Sequence, residues 1–264
     1  MASSVFIAVA TSLSLDAQMP IPQTLRAKLQ DAQDATVALR HATYVTMASQ
    51  HEASLKPFVG WGKGWFGLYN GRVYLFSALH NVDTLNRRDF VGRLRERGIT
   101  EFSITKDVCS IGGVRLPTRA LCDRRRDVVV YPFFDEMCSI KFKPLAIPKG
   151  PAELTNTVYW NSPDGITSGE IFRDVAPSIN YADGVEVKGP AKPGMSGTPV
   201  LNALGDPIGV ITRIDSHSSN AIYSPLEYSL GLTKSETAKE SRASDGQRLA
   251  ETHGRLGAIE LSNR

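Results

Sequence analysis

The sequence predicts a mainly β protein, either a β-sandwich or β-barrels, with a helical extension before it. From Pro57 onward, short apolar runs alternate with Gly, Pro and Asn turn residues at fairly even spacing. Asn70-Gly71 lies between two such runs and predicts a tight hairpin, because both central positions of a type I′ turn need positive φ. The candidate strands are 65–69, 72–76, 101–105, 127–132, 156–161, 166–172, 185–188, 198–202, 207–213 and 221–223.

Residues 1–50 form the predicted N-terminal extension. Over residues 22–48, apolar side chains recur at helical spacing after a proline near the start, which predicts an amphipathic helix. These side chains are Leu25, Leu29, Ala32, Ala35 and Leu39. We expect the helix to pack on the main domain at 51–232; binding of a partner is the other interpretation. The polar tail at 233–264 predicts a disordered linker with one short helix around 246–256.

The charge balance argues against a partner bound mainly through its charge. Thirty basic and 27 acidic residues give a net charge of +3, which does not favour duplex nucleic acid. Arginines cluster at 87–88, 93–97 and 124–126, but acidic residues lie among them. We therefore expect a solvated mixed-charge surface, with a basic patch for RNA as the alternative.

The cysteines and the N-terminal residues indicate in which cellular compartment we expect the protein. Cys109, Cys122 and Cys138 are too few and too widely spaced for a disulfide framework or a metal site. We expect three free thiols in an intracellular protein; one disulfide with a spare thiol is the alternative. The apolar run at 5–15 is too short to span a bilayer, so we expect no membrane partner. It predicts a strand or lead-in, and a weak signal peptide keeps secretion open.

The segment 194–200 (GMSGTPV) predicts a serine nucleophile on a tight turn. A serine that attacks a carbonyl needs an exposed Oγ and backbone N–H groups aimed at the developing oxyanion. Gly194 allows its own N–H and that of Ser196 to point toward one place. The alternative is a glycine-rich loop between two strands with an incidental serine.

A nucleophilic serine needs a general base and a carboxylate that orients it. Among the five histidines, His80 follows a strong apolar strand directly, which places its imidazole at the strand's end. Asp127 opens the apolar run 128–131 and is the preferred carboxylate. Asp123, Asp107 and Asp83 are weaker candidates, and a simple ion pair with a neighbouring arginine is the other interpretation of Asp127.

The blocks FSALHNV, DVVVYPF and GPAKPGMSGTPVLNALGDPIGVITRI resemble, in this order, the signature blocks of the chymotrypsin-like serine proteases. The compact interval between the last two resembles the small proteases of sobemoviruses, poleroviruses and related positive-strand RNA viruses. This resemblance implies an all-β fold of two antiparallel six-stranded β-barrels. It further implies a triad of His80, Asp127 and Ser196, and oxyanion-hole amides from Gly194 and Ser196. No metal or cofactor is implied.

Two departures from the viral pattern leave the cleavage site open. Many of those proteases carry a threonine and a histidine that bind a Glu or Gln side chain, and this sequence has Ala191 and Ile211 at those places. Thr212, Arg213 and Ile214, together with Ala191, are expected to line the primary substrate pocket. Arg213 would favour an acidic side chain, unless it points outward.

The sequence thus predicts a serine endopeptidase whose partner is a polypeptide, including its own precursor. The resemblance favours processing of a viral polyprotein in the host cytoplasm. The alternatives are a protease-fold module that only binds, and a cellular stress protease of the same fold.

Overall fold

The structure is a computed structural model that describes residues 21–47, 57–83, 88–96, 98, 102–117, 120–175, 183–215 and 217–234. The interpretations made for residues 5–15 and 246–256 lie outside these ranges. The helices are α1 (Gln23–Ala35), α2 (Arg88–Glu96) and α3 (226–234). The strands are β1 (Thr36–Met47), β2 (Phe58–Tyr69), β3 (Arg72–Ala78), β4 (Phe102–Ile111), β5 (Val114–Arg115), β6 (Leu121–Asp123), β7 (Val128–Pro132), β8 (Leu145–Ala146), β9 (Thr157–Ser162), β10 (Gly165–Val175), β11 (Gly184–Pro190), β12 (Pro199–Asn202), β13 (Pro207–Ile214) and β14 (Asn220–Pro225).

The helix predicted over 22–48 is correct only as far as Ala35. Residues 36–47 form β1 instead, because TVALRHATYVTM is rich in β-branched residues that fit a pleated sheet better than a helix. Leu39 continues the helical spacing by coincidence, since in β1 it is buried inside the first sheet. The segment 1–50 therefore supplies a strand to the main domain as well as a helix.

The first half of the fold is a curled sheet in the order β5-β4-β1-β2-β3-β7-β6, with β8 pairing β2 in parallel. The predicted hairpin at Asn70-Gly71 is confirmed. Tyr69 pairs with Arg72, and the two turn residues have φ of 50° and 76°. The sheet curls without closing among the described strands, so the expected first barrel is a half-barrel.

The second half is a closed six-stranded barrel in the order β10-β11-β14-β13-β12-β9. Each neighbouring pair is antiparallel. Its interior holds buried side chains from the facing strands, among them Trp160, Val187, Ile211 and Tyr223. The all-β prediction with a closed second barrel is thereby confirmed.

A shared core joins the two halves through α1. Leu25, Leu29, Ala32 and Ala35 are buried against Trp65 and Phe76 of the first sheet and against Leu201 and Val210 of the second barrel. The amide of Asn161 also donates to the carbonyl of Leu29 at 2.8 Å. The extension therefore packs on the main domain, as expected, and bridges its halves.

Two further findings concern the helices and the cysteines. None of the helices in the described part of the chain is long and apolar enough to cross a membrane. The three cysteines are free thiols, with Cys109 buried and Cys122 and Cys138 exposed. Burial raises the pKa of the Cys109 thiol to about 12.

Candidate active site

His80 and Asp127 meet at one end of the first sheet. His80 lies on a short 3₁₀ turn that follows β3 directly, and Asp127 lies just before β7, the neighbour of β3. The His80 Nδ1 is 2.7 Å from Asp127 Oδ2, and the His80 backbone N–H donates to Asp127 Oδ1 at 3.0 Å. Both carboxylate oxygens therefore hold the same residue, which fixes the imidazole's orientation.

Asp127 has an unusual backbone conformation. Its φ is 54°, in the left-handed region that non-glycine residues rarely adopt. Such a conformation costs of order 1–3 kcal/mol and persists only where the surroundings enforce it. Here the Leu79 backbone N–H donates to the Asp127 carbonyl at 2.9 Å, so backbone and side chain are both tied to the turn that carries His80.

Ser196 lies on the loop between β11 and β12, within a turn that two glycines make possible. Gly194 and Gly197 have φ of 88° and 91°. The turn is held by the Gly197 N–H to the Ile211 carbonyl at 2.7 Å and by the Thr198 N–H to the Met195 carbonyl at 2.9 Å. Within the described ranges, the N–H groups of Gly194 and Ser196 donate to no protein acceptor. Their role as oxyanion-hole donors stays a prediction.

The serine loop of the second barrel is anchored directly on the first sheet. The Ser196 carbonyl accepts from the Lys63 backbone N–H at 2.9 Å and from Asn81 Nδ2 at 2.8 Å. A Cβ at Gly197 would lie 1.7 Å from the Lys63 carbonyl oxygen, so only glycine fits there. This close contact brings Ser196 next to the turn that carries His80.

Burial lowers the pKa of the Lys63 amine.

Asn81 is a site residue that the sequence analysis did not identify. Its buried side-chain amide also contacts the Ser77 Oγ at 3.1 Å and the Lys63 carbonyl at 3.2 Å. A Cβ at Gly62 would lie 2.3 Å from Asn81 Cγ, so this glycine makes the space for the amide. The available signal was an amide residue directly after the candidate base, together with an otherwise unexplained glycine in β2.

The four predicted substrate-binding residues lie close to the serine loop in the chain or the sheet. Ala191 is buried against the second barrel's core, and its N–H donates to the Ser219 carbonyl at 3.1 Å. Thr212 is also buried, whereas Arg213 and Ile214 are half-buried at the end of β13. Their role in substrate binding stays a prediction.

The loop opposite Ala191 is held by a buried carboxylate. Glu186 is 2% exposed and accepts from Asn220 Nδ2 at 2.8 Å, Arg173 Nε at 2.7 Å and Ser218 Oγ at 3.3 Å. Burial opposes its ionisation, but the hydrogen bonds from Asn220 and Arg173 outweigh that effect and hold the pKa of Glu186 below its ordinary value. Asp215 caps the same loop by accepting from the His217 and Ser218 N–H groups, which lower its pKa.

A second histidine–carboxylate pair lies inside the first sheet. His41 Nε2 is 2.5 Å from Asp107 Oδ1, and Thr43 donates to the same oxygen at 2.9 Å. The His41 side chain is only 2% exposed, whereas the His80 side chain is 26% exposed. A general base must reach a bound substrate, so the geometry favours His80.

A cavity of about 870 Å³ lies elsewhere, between the connection after β8 and the second barrel. Ile147, Leu154, Asp183, Ile208 and Tyr228 are among its lining residues, and His80, Asp127 and Ser196 are not. No group of three or more possible metal ligands occurs among the residues that the structure describes.

The sequence and the structure were compared with known proteins, and only known structures gave a match. No family model and no curated protein matches the sequence. The structure of the HtrA-type protease AlgW with a decapeptide is similar, with a TM-score of 0.50 and 15% identity over 80% of this chain and 66% of that chain. A serine-to-alanine form of AlgW with a decapeptide gives 0.50 and 14% with the same coverage. This chain thus spans 66% of the length of those proteins.

At this level of identity the likeness concerns architecture alone. It agrees with the closed second barrel and the curled first sheet. The chain therefore has the chymotrypsin-like fold of the trypsin-like serine proteases.

Proposed function

We propose that this chain is a serine endopeptidase with His80, Asp127 and Ser196 as its triad. One observation carries the proposal. Both oxygens of the Asp127 carboxylate hydrogen-bond to His80, and the next residue, Asn81, donates to the carbonyl of Ser196. Base and nucleophile are thus connected through one short turn, on a fold that supports this chemistry.

The geometry supports a distinct role for each nitrogen of His80. A carboxylate only accepts hydrogen bonds, so Nδ1 carries the proton and Nε2 has a free lone pair. His80 Nε2 takes the proton of Ser196 Oγ as that oxygen attacks the scissile carbonyl, and returns it to the leaving amine. Asp127 stabilises the imidazolium, and the N–H groups of Gly194 and Ser196 bind the oxyanion.

A polypeptide substrate fits the strand edge beside Ser196. The end of β13, at 212–214, pairs with β14 on one side, whereas on the other side its pairing with β12 and the serine loop ends at Ile211. We infer that an extended peptide adds on that other side as another strand. The decapeptides held by the AlgW structures agree with a polypeptide as ligand.

Labelling of the purified full chain with a fluorophosphonate probe tests the proposed chemistry. We expect modification of Ser196, its loss in Ser196→Ala and His80→Ala, and its retention in the matched controls Ser168→Ala and His217→Ala, which change exposed side chains. Removing a triad serine or histidine costs roughly 10⁶-fold in kcat. A wild-type chain that stays unlabelled would identify a protease-fold module that only binds.

The proposed setting is the processing of a precursor polypeptide, including the chain's own, in an intracellular compartment. The compact interval from Asp127 to Ser196, which resembles that of small viral proteases, and the polar sequence at 233–264 support this setting. Co-expression with a longer precursor, followed by N-terminal sequencing of the products, tests it. Cleavage that persists with Ser196→Ala would assign the processing to another protease.

A further inference from the structure

Arg126, the residue before Asp127, connects the two halves of the fold. Its Nη1 donates to Asp123 Oδ2 at 2.7 Å, and its Nε lies 3.5 Å from Asp183 Oδ2. Its guanidinium carbon lies 3.8 Å from the centre of the Tyr228 ring. Asp123 belongs to the first sheet, whereas Asp183 precedes β11 and Tyr228 lies in α3.

Asp123 also closes the turn that ends at Asp127. Its Oδ1 accepts from the backbone N–H groups of Arg125 at 2.9 Å and of Arg126 at 3.2 Å. The same carboxylate thus holds the backbone and the side chain of Arg126. The hydrogen bond that Arg126 donates to Asp123 is the main reason that the pKa of Arg126 lies above its ordinary value.

The planar guanidinium suits these contacts in a way that a lysine ammonium would not. It meets carboxylates through its edge while its face stacks on an aromatic ring. Asp123 and Asp183 therefore meet the edge of Arg126 while Tyr228 meets its face.

We propose that Arg126 is a positioning residue that holds the Asp127 turn against the second barrel and so keeps the His80–Asp127 pair aligned with Ser196. This inference rests on the proposed protease function. Asp127 has positive φ, so its turn is under strain and needs contacts that enforce its shape. The serine loop belongs to the second barrel. The contacts of Arg126 with Asp183 and Tyr228 therefore help to set the position of His80 relative to Ser196.

If Arg126 only stabilised the fold, its loss would lower thermal stability at least as much as turnover. Arg126 is 30% exposed, and partly exposed ion pairs contribute little to stability. We therefore expect its loss to change turnover much more than thermal stability. A displacement of about 1 Å in a catalytic group can cost roughly 100-fold in rate.

The test compares Arg126→Met with Arg125→Met in the full chain. Both remove an arginine from the same turn, but the Arg125 side chain is exposed. For Arg126→Met we expect at least an approximately tenfold fall in kcat and in the rate of fluorophosphonate labelling, with KM nearly unchanged. Arg125→Met should match the wild type, and Arg126→Lys should restore only part of the rate.

A second pair of variants reaches the same contact from α3. Tyr228→Leu removes the ring under the guanidinium and should lower kcat in the same direction, whereas Tyr228→Phe keeps the ring and should lower it less. This pair also tests the inference if Arg126→Met does not fold.

The decisive comparison repeats Arg126→Met in an Asp127→Asn background. A residue that acts through Asp127 should then change the labelling rate by less than about twofold, because residues that act as a unit are not additive. Equal losses in both backgrounds, or a wild-type rate in Arg126→Met, would overturn the inference alone. A wild type without labelling at Ser196 would overturn the proposed function, and this inference with it.

Discussion

Two residues at this site have backbone conformations that few other residues could adopt. Asp127 and Gly197 both have positive φ, and the second has no room for a side chain. Each lies directly beside, or belongs to, the proposed triad. Strain of this kind needs support from neighbouring hydrogen bonds. Asp127 accepts them from Leu79 and His80, and the Gly197 N–H donates to the Ile211 carbonyl.

Gly197→Ala should disrupt the serine loop. The added methyl group would meet the Lys63 carbonyl at 1.7 Å while the backbone keeps a φ of 91°. We expect a loss of more than about 3 kcal/mol in the free energy of unfolding, together with loss of labelling at Ser196. Urea denaturation and probe labelling measure the two effects. Gly92→Ala, in an open helical position, is the control, and equal stability of both variants would contradict the prediction.

Asn81→Ala should affect both stability and turnover. It removes the side-chain donor to the Ser196 carbonyl and leaves the buried Ser77 hydroxyl with one partner fewer. We expect a cost of about 1–3 kcal/mol in unfolding free energy and a fall in kcat. Asn156→Ala changes an exposed asparagine and should do neither. Wild-type kcat in Asn81→Ala would show that the Lys63 amide alone positions Ser196.

At the scale of elements, the loops around the cleft are held by polar contacts between strands. Glu186 on β11 joins Arg173 of β10 to Asn220 of β14 and to Ser218 in the turn before that strand. This contact fixes the loop whose Ser219 carbonyl binds Ala191. Acid should therefore loosen the loop that borders the predicted substrate pocket.

Glu186→Gln should flatten the acid limb of the stability profile. The folded-state pKa of Glu186 lies below the ordinary value of 4.5, so its contribution is complete above that pH and is lost as the pH falls through the folded value. The wild type should lose its advantage over Glu186→Gln in this acid range. Urea denaturation at neutral pH and at steps below 4.5 measures it. Glu170→Gln, exposed on β10, is the control; parallel profiles for wild type and Glu186→Gln would contradict the prediction.

At the scale of the whole molecule, α1 and β1 make the N-terminal segment part of the main domain. α1 is buried against both halves, and β1 pairs with β2 and β4. A fragment that begins at residue 51 would lack an interior strand of the first sheet, so we expect it not to fold.

Leu29→Ala should destabilise both halves together. Leu29 is fully buried in the core that they share. We expect a cost of about 2–5 kcal/mol and a single unfolding transition shifted as a whole. Circular dichroism and tryptophan fluorescence should follow the same curve. Leu154→Ala, exposed to 76%, is the control, and separate transitions in Leu29→Ala would show that the halves unfold independently.

Local patterns were enough to predict several parts of this protein. Asn70-Gly71 predicted its hairpin because a type I′ turn demands those residues, and Leu25 to Ala35 predicted the buried face of a helix through their spacing. His80 was expected at the end of a strand, and Gly194 and Gly197 in a tight turn around Ser196. These features depend on neighbours in the chain, so the sequence contains their cause.

The contacts between segments that are distant in sequence could be known only from the tertiary structure. Asn81 on the Ser196 carbonyl, Gly62 making room for Asn81, and Arg126 between Asp183 and Tyr228 all join segments far apart in sequence. The change from helix to strand at Thr36 belongs here too, since β1 is stabilised by pairing with β2 and β4. A sequence specifies which side chains are available, but their partners depend on how the two halves pack.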